Sequence, residues 1–413
     1  MWQQRCWLQG LAYLVIIGLL GGCVSTSANE QPLEITFGAS ISITGKTAKE
    51  GEYVRDGYQF FVDTLNAQGG ILIGGQRYQL RLRYYDDESN LERTAELYEK
   101  LINHDQVDFL LGPYGSDATS VAVAIAEKYH IPLVSGHGSA SSIYANNYHY
   151  IFSVQTPARH YLNGVIDALL AADPSLKTLA LLSETDSFSQ DVAQGVRDYA
   201  QQRGLNVIYH GDYPSDARDV SHHLNIIKQL QPDMLLGAGH LQEALLIVKQ
   251  AKSLDVTPKA IGLSVGPLLP QFRANLQHDA DYILGPTQWT PALDYHGDDV
   301  WQTPAAFAQA FRQQYPQYKS VPYQVAESAA SLIVFQRAFE RAGTIDRLAV
   351  RDTIKGLKLA TFFGPIQFDE QGVNSAKPMA VEQLYPDGQK YTVFPQAVAE
   401  QSLLYPMPAW SQR

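Results

Sequence analysis

Thiols are almost absent from this chain. Its 413 residues include two cysteines, Cys6 and Cys23, both near the amino terminus. The long body after Cys23 therefore has no disulfide, no thiolate nucleophile and no cysteine metal site. That composition suits an oxidising compartment. A basic excess is missing too. The 31 Lys and Arg against 42 Asp and Glu give a net charge of −11, which argues against a nucleic-acid partner. No run of like charges marks a tail.

Catalytic and cofactor motifs are equally scarce. Gly237-Ala238-Gly239 lacks the third glycine of a dinucleotide turn, and no phosphate loop is present. The stretch Gly136-His137-Gly138-Ser139-Ala140 is not a nucleophile elbow, which needs glycine two residues to either side of the serine. His222 and His223 are adjacent, so they point to different faces of a helix and have no partner at ligand spacing. These absences predict a protein that is not an enzyme, with no cofactor and no metal site. A secreted hydrolase is the rival from another class, and no credible triad supports it.

What is present begins with a leader. Arg5 precedes an apolar run from Leu11 to Leu20, too short to span a membrane comfortably. Leu20-Gly21-Gly22-Cys23 follows and resembles a bacterial lipobox. Residues 1–22 read as a lipoprotein signal peptide, Cys23 as the lipidated residue, and residues 23–32 as a flexible tether. The composition of the whole chain, 45% apolar and 18% charged, is that of a globular protein long enough for two domains.

The body alternates short apolar strands with amphipathic helices, the pattern of a parallel sheet. Ile35–Ala39 leads into Ser42-Ile43-Thr44-Gly45, and a later strand runs into Tyr84-Tyr85-Asp86-Asp87. Val107–Leu111 runs into Gly112-Pro113-Tyr114-Gly115-Ser116, and Ile131–Val134 into Ser135-Gly136-His137-Gly138-Ser139. Polar, glycine-rich turns sit repeatedly at strand ends, where open α/β sheets bind small ligands. A second α/β run begins near Pro157. Its expected strands are Thr178–Leu182, Val207–His210, Met234–Leu236 and Ala260–Leu263.

The order of these motifs, with Phe363-Gly364-Pro365-Ile366-Gln367-Phe368-Asp369-Glu370-Gln371-Gly372 late in the chain, resembles the leucine/isoleucine/valine-binding family of type I periplasmic solute-binding proteins of ABC importers. The resemblance covers nearly all of the chain after the leader. It implies two Rossmann-like α/β lobes with mostly parallel central sheets, joined by three crossings. These are expected near Gln155–Ala158, Gly285–Thr287 and Gly364–Gln367. Residues 33–156 with 287–365 would form the first lobe, and 157–286 with 366–413 the second.

The same resemblance implies capture of a small carboxylate-bearing solute, an amino acid of apolar type, by a lipid-anchored monomer in the periplasm or at the cell surface. It also implies an inner-membrane ABC permease as partner. Ser116 opens a helix, where free N–H groups and its hydroxyl favour an anion. In the resembling family that position binds the carboxylate. His137 and Ser139 fall on two further contact positions, His137 through its backbone, with Tyr114 and Gly138 in the same loops.

The second lobe departs from the pattern. The acidic ammonium partner of branched-chain binders falls on Ser264, one tyrosine on His240 and another on Glu50. Glu50, Glu184 and Asp186 are the candidate replacements, and Phe188 and Trp289 candidate apolar walls. Two alternatives stand beside this reading: an aromatic or other carboxylic acid without an ammonium group, and a ligand sensor for a membrane receptor.

Overall fold

The computed structural model describes residues 33–413. The expected signal peptide, the lipidation site Cys23 and the tether lie outside the described residues. The body is built on two sheets. The first has six strands in the order Ile71–Ile73, Gln76–Asp86, Leu33–Ile41, Phe109–Leu111, Leu133–Ser135, Ile151–Ser153. The second has seven, in the order Lys390–Phe394, Ala380–Leu384, Leu284–Thr287, Ala260–Leu263, Met234–Ala238, Thr178–Glu184, Asn206–Tyr213. Pairing is parallel except for the Ile71–Ile73 hairpin and the two strands at the carboxyl-terminal edge of the second sheet. This is the expected α/β architecture, mostly parallel sheets in two lobes.

The central strands are short and apolar because helices cover both faces. Phe109–Leu111, Met234–Ala238 and Ala260–Leu263 are buried at every position. Helix starts follow the local side chains. The Asn90 carboxamide accepts from the Arg93 N–H at 2.9 Å, and the Asp186 carboxylate from the Ser189 N–H at 3.0 Å, each satisfying an orphan donor of the first turn.

Helix Tyr323–Ala342 is buried along nearly all of its length and packs against helix Ala48–Ala67. Gly57 makes that approach possible. A Cβ there would stand 2.5 Å from the Val325 carbonyl oxygen and 2.6 Å from the Ser328 Cβ. Phe335 and Phe339 then meet Phe37 and Phe109 of the first sheet, with ring centroids 4.9–6.3 Å apart.

The chain leaves the first sheet after Ser153 and enters the second at Thr178, passing through Gln155–Ala158. Gly285–Thr287 belongs to a strand of the second sheet, so the second crossing starts after Thr287. Gly364–Gln367 pairs with Lys358–Thr361, and Ser153 still bridges Val373, so the third crossing comes later than expected, just before Ala380. Phe362 and Phe363 turn the chain between these two strands, and Gly364 and Pro365 pair with Thr361 and Ala360 in a small hairpin rather than forming a connector.

The three crossings are tied together. The Thr156 N–H donates to Gln288 Oε1 at 3.2 Å, and Gln288 Nε2 donates back to the Thr156 carbonyl at 3.1 Å. The Thr156 hydroxyl donates to the Lys377 carbonyl at 2.8 Å, and the Lys377 ammonium donates to the Gln288 carbonyl.

Candidate functional site

The carboxyl ends of both sheets face one cleft. From the first sheet come Gly115 and Ser116 after Leu111, and the loop Gly136–Ala140 after Ser135. From the second come Asp186 after Glu184, His240 after Ala238, and Val265 after Leu263. Gly115 has φ +88°, a left-handed conformation that only glycine adopts freely, and it turns the chain into helix Ser116–Tyr129. The Ser116 hydroxyl accepts from the N–H groups of Ser139 at 3.2 Å and Ala140 at 3.1 Å. It thus stitches the two candidate carboxylate loops together.

An inner cavity of ≈ 20 Å³ is lined by Tyr114, Ser116, Ser139, Tyr161, Phe188 and Tyr323, with His137, Gln155, His240 and Glu327 among its other walls. It adjoins a larger cavity of ≈ 240 Å³ towards the mouth. Tyr114, Ser116 and His240 line both, while Lys46, Asp87, Glu184 and Asp186 line only the larger one.

His240 is the electrostatic centre. Its Nδ1 is 3.3 Å from the Tyr114 hydroxyl and its Nε2 is 3.6 Å from Asp186 Oδ1. Burial alone would keep the ring neutral, but Asp186, Glu184 and Glu243 outweigh it and raise the imidazole to about 9. At neutral pH it is a cation. Burial acts upwards on Asp186 as well, yet His240 and the Ser189 N–H hold its carboxyl well below the usual range. Burial raises Glu184, against the pull of His240 and Lys46.

Lys46 enters from the first-sheet side, with Nζ 2.5 Å from Glu184 Oε1 and 3.1 Å from Glu243 Oε1. Side-chain atoms of Glu184, Asp186 and His240 lie within 4.8 Å of one another. The His240 imidazolium is the cation beside Asp186, and the Lys46 ammonium the one beside Glu184.

The expected residues divide into three groups. Tyr114, Ser116, Ser139, Asp186 and His240 converge on the cleft. His137 reaches it by a different route than expected. Its ring is fully buried, with Nε2 2.9 Å from Ser328 Oγ and Nδ1 3.2 Å from Glu327 Oε2. Burial pushes the imidazole down to about 3 and the Glu327 carboxyl far above its usual range, so the two stand together as neutral groups.

Gly138, Glu50 and Ser264 line neither cavity. The Gly138 carbonyl accepts from the Tyr144 hydroxyl at 2.5 Å. Glu50 is buried in the first turn of its helix, and burial raises its carboxyl. The Ser264 hydroxyl donates to the Gly239 carbonyl at 2.9 Å and accepts from the Gly239 N–H at 3.0 Å, which fixes the peptide before His240.

Phe188 does wall the inner cavity, its ring 5.2 Å from His240 and 5.0 Å from Tyr161. Trp289 does not. It packs against Phe307 and Phe362 in the core, and its Nε1 donates to the Phe362 carbonyl. Sequence reasoning missed Lys46, Glu243, Tyr161, Tyr323, Gln155 and Glu327. Lys46 sits in a strand-end turn and Glu243 in the first turn of a helix after a strand end, so position offered a signal. Tyr323 and Glu327 lie on a distant helix and offered none.

Comparison with known proteins agrees with this geometry. A family model described as periplasmic binding protein matches residues 34–389. The Leu/Ile/Val-binding protein homolog 8 of Brucella suis biovar 1 (strain 1330) is 24% identical over 412 residues, covering 94% of this chain and 98% of the relative. Among solved structures, the branched-chain amino acid transporter substrate binding protein LivJ of Streptococcus pneumoniae, in complex with isoleucine, superposes with a TM-score of 0.75. The identity is 19%, over 91% of this chain and 100% of that one. An ABC transporter solute binding protein of R. palustris, in complex with benzoate, superposes with a TM-score of 0.74. The identity there is 18%, over 89% and 98% of the two chains. With the family model spanning both sheets apart from the edge strand Lys390–Phe394, and the strand-end cleft between them, this chain belongs to the periplasmic binding protein family.

Proposed function

We propose that this chain is the extracytoplasmic solute receptor of an ABC importer, held to a membrane by lipid on Cys23, and that it performs no chemistry. Its two lobes close as a monomer on a small carboxylate-bearing solute of the amino-acid class. The observation that carries this reading is the shared lining of the larger cavity. Ser116, at a helix start, and the acids Glu184 and Asp186 face the same space. The carboxylate would lie against Ser116 and the Ser139 loop, where N–H groups and hydroxyls converge, and the ammonium against the acids. Buried charge of either sign needs such partners, because desolvating an unpaired ion is very costly. The aromatic lining of Tyr161, Phe188 and Tyr323 suits an apolar side chain.

A second reading, a carboxylic acid without an ammonium group, is favoured by His240. It is a cation that faces the inner cavity, and Glu184 and Asp186 already have Lys46 and His240 as partners. Calorimetry of leucine and phenylalanine against their 2-oxo acids separates the two. A large margin for the amino acids supports the first reading. Equal or tighter binding of the oxo acids overturns it in favour of the second. A permease gene beside this one would speak for transport rather than for signalling to a membrane receptor.

A further inference from the structure

We propose that Lys46 is a specificity-determining residue of the cleft: its ammonium is a built-in occupant of the subsite that receives the cationic group of the ligand. The inference rests on the amino-acid reading and adds a competitor to it. Lys46 follows Gly45 just beyond the strand Leu33–Ile41, on the first-sheet side. Its Nζ reaches across to Glu184 Oε1 at 2.5 Å and Glu243 Oε1 at 3.1 Å, and donates to the Ser215 carbonyl at 3.0 Å. All three partners belong to the second-sheet side.

The acids have more capacity than Lys46 uses. Glu184 is 1% exposed and Glu243 3% exposed, and the Oε2 atom of each is buried without a hydrogen-bond partner. Asp186 Oδ2 is in the same condition. Carboxylate oxygens withdrawn from water without donors are costly, so the trio is suited to more N–H donors than one lysine brings. The lysine side chain itself is 36% exposed and can swing into solvent, which the acids cannot.

Space points the same way. Lys46, Glu184 and Asp186 line the cavity that Ser116 and His240 also line. A solute with its carboxylate at Ser116 would carry its amine towards Glu184, whose carboxylate the Lys46 ammonium already holds through Oε1. Two like charges then compete. Lys46 thereby lowers the affinity for amines relative to solutes that lack one.

The test is calorimetry at low salt, with leucine and its 2-oxo acid, on the wild type and on Lys46→Met. Lys46→Arg serves as the charge-preserving control. The variant without the charge should bind leucine about fivefold more tightly, the gain being modest because the partly exposed lysine end of the ion pair is screened by solvent. The oxo acid should bind it as it binds the wild type, and Lys46→Arg should return leucine to wild-type affinity. Unchanged or weaker leucine binding by Lys46→Met overturns the role of Lys46, while the amino-acid reading stands if the wild type still prefers leucine. If the wild type prefers the oxo acid and Lys46→Met gains leucine binding, Lys46 has the proposed role and the amino-acid reading falls. If neither protein binds leucine, both fall.

Discussion

The Tyr114 hydroxyl stands 3.3 Å from Nδ1 of His240, a contact between residues 126 apart in sequence that joins the strand-end loops of the two sheets. Phe188 packs against the same imidazole, 5.2 Å between centroids. One charged ring thus connects the apolar inner cavity to the acids of the mouth.

His240 should make the fold sensitive to alkali. Its pKa is raised from an ordinary 6.5 to about 9, so the folded state binds the proton more tightly than the unfolded state. The resulting stability is fully present below pH 6.5 and is lost as pH rises through about 9. Urea denaturation of the wild type should show this decline, and His240→Gln should flatten it. Parallel pH profiles for the two proteins would contradict the assignment of charge.

Ser116→Ala should weaken binding of the carboxylate solute more than Ser139→Ala does. The Ser116 hydroxyl also anchors the N–H groups of Ser139 and Ala140, so its loss loosens the loop as well. A hydrogen bond to a charged group contributes roughly 1.5–3 kcal/mol, about ten- to a hundredfold in affinity. Calorimetry on the two variants checks the order and the size.

Gln288→Ala should destabilise the chain by about 1–3 kcal/mol, because both polar groups of the buried Thr156 backbone lose their partner. Denaturant titration measures this. In the same protein, small-angle scattering reports closure. The radius of gyration of the wild type should fall on adding ligand, and the variant should be more open without ligand.

Glu327→Gln should be tolerated where Glu327→Ala is not. Burial holds this carboxyl far above its usual range, so it is neutral beside His137 and accepts from Gln155 Nε2 at 2.9 Å. The amide keeps that acceptor and the volume. The alanine leaves a cavity beside His137 and removes one of the two acceptors of Gln155 Nε2, the other being the Tyr161 hydroxyl, a loss of about 2–4 kcal/mol. Equal melting temperatures of the two variants would rule this account out.

Cys23 is expected to carry the anchor. Intact-mass analysis of membrane-fractionated protein should find residues 1–22 removed and lipid on Cys23, and Cys23→Ser should abolish both attachment and membrane fractionation.

Much of the fold was legible locally. Strands Thr178–Glu184 and Ala260–Leu263 declare themselves by apolar runs between turn residues, and Asn90 as a cap by a side chain that satisfies the first helical turn, whereas the capping role of Asp186 emerged only in the structure. Strand-end turns likewise pointed to Ser116 and Ser139, because a parallel sheet delivers the carboxyl ends of its strands to one edge whatever the details of packing, while His240 came from the family resemblance.

What the chain could not declare depends on distance in sequence. Lys46 and Glu184 are 138 residues apart, and His137 and Ser328 191. No local pattern encodes such pairs. They exist because two sheets face each other and because Gly57 lets one helix lie against another. Ser264 marks the limit most clearly. Its position after a strand suggested the cleft, but its hydroxyl turns back to the Gly239 peptide, and the acids that line the mouth come from Glu184 and Asp186 instead. Position along a strand is a local property. The direction in which a side chain points past its end is decided by which neighbouring backbone groups remain to be satisfied, and only the tertiary structure settles that.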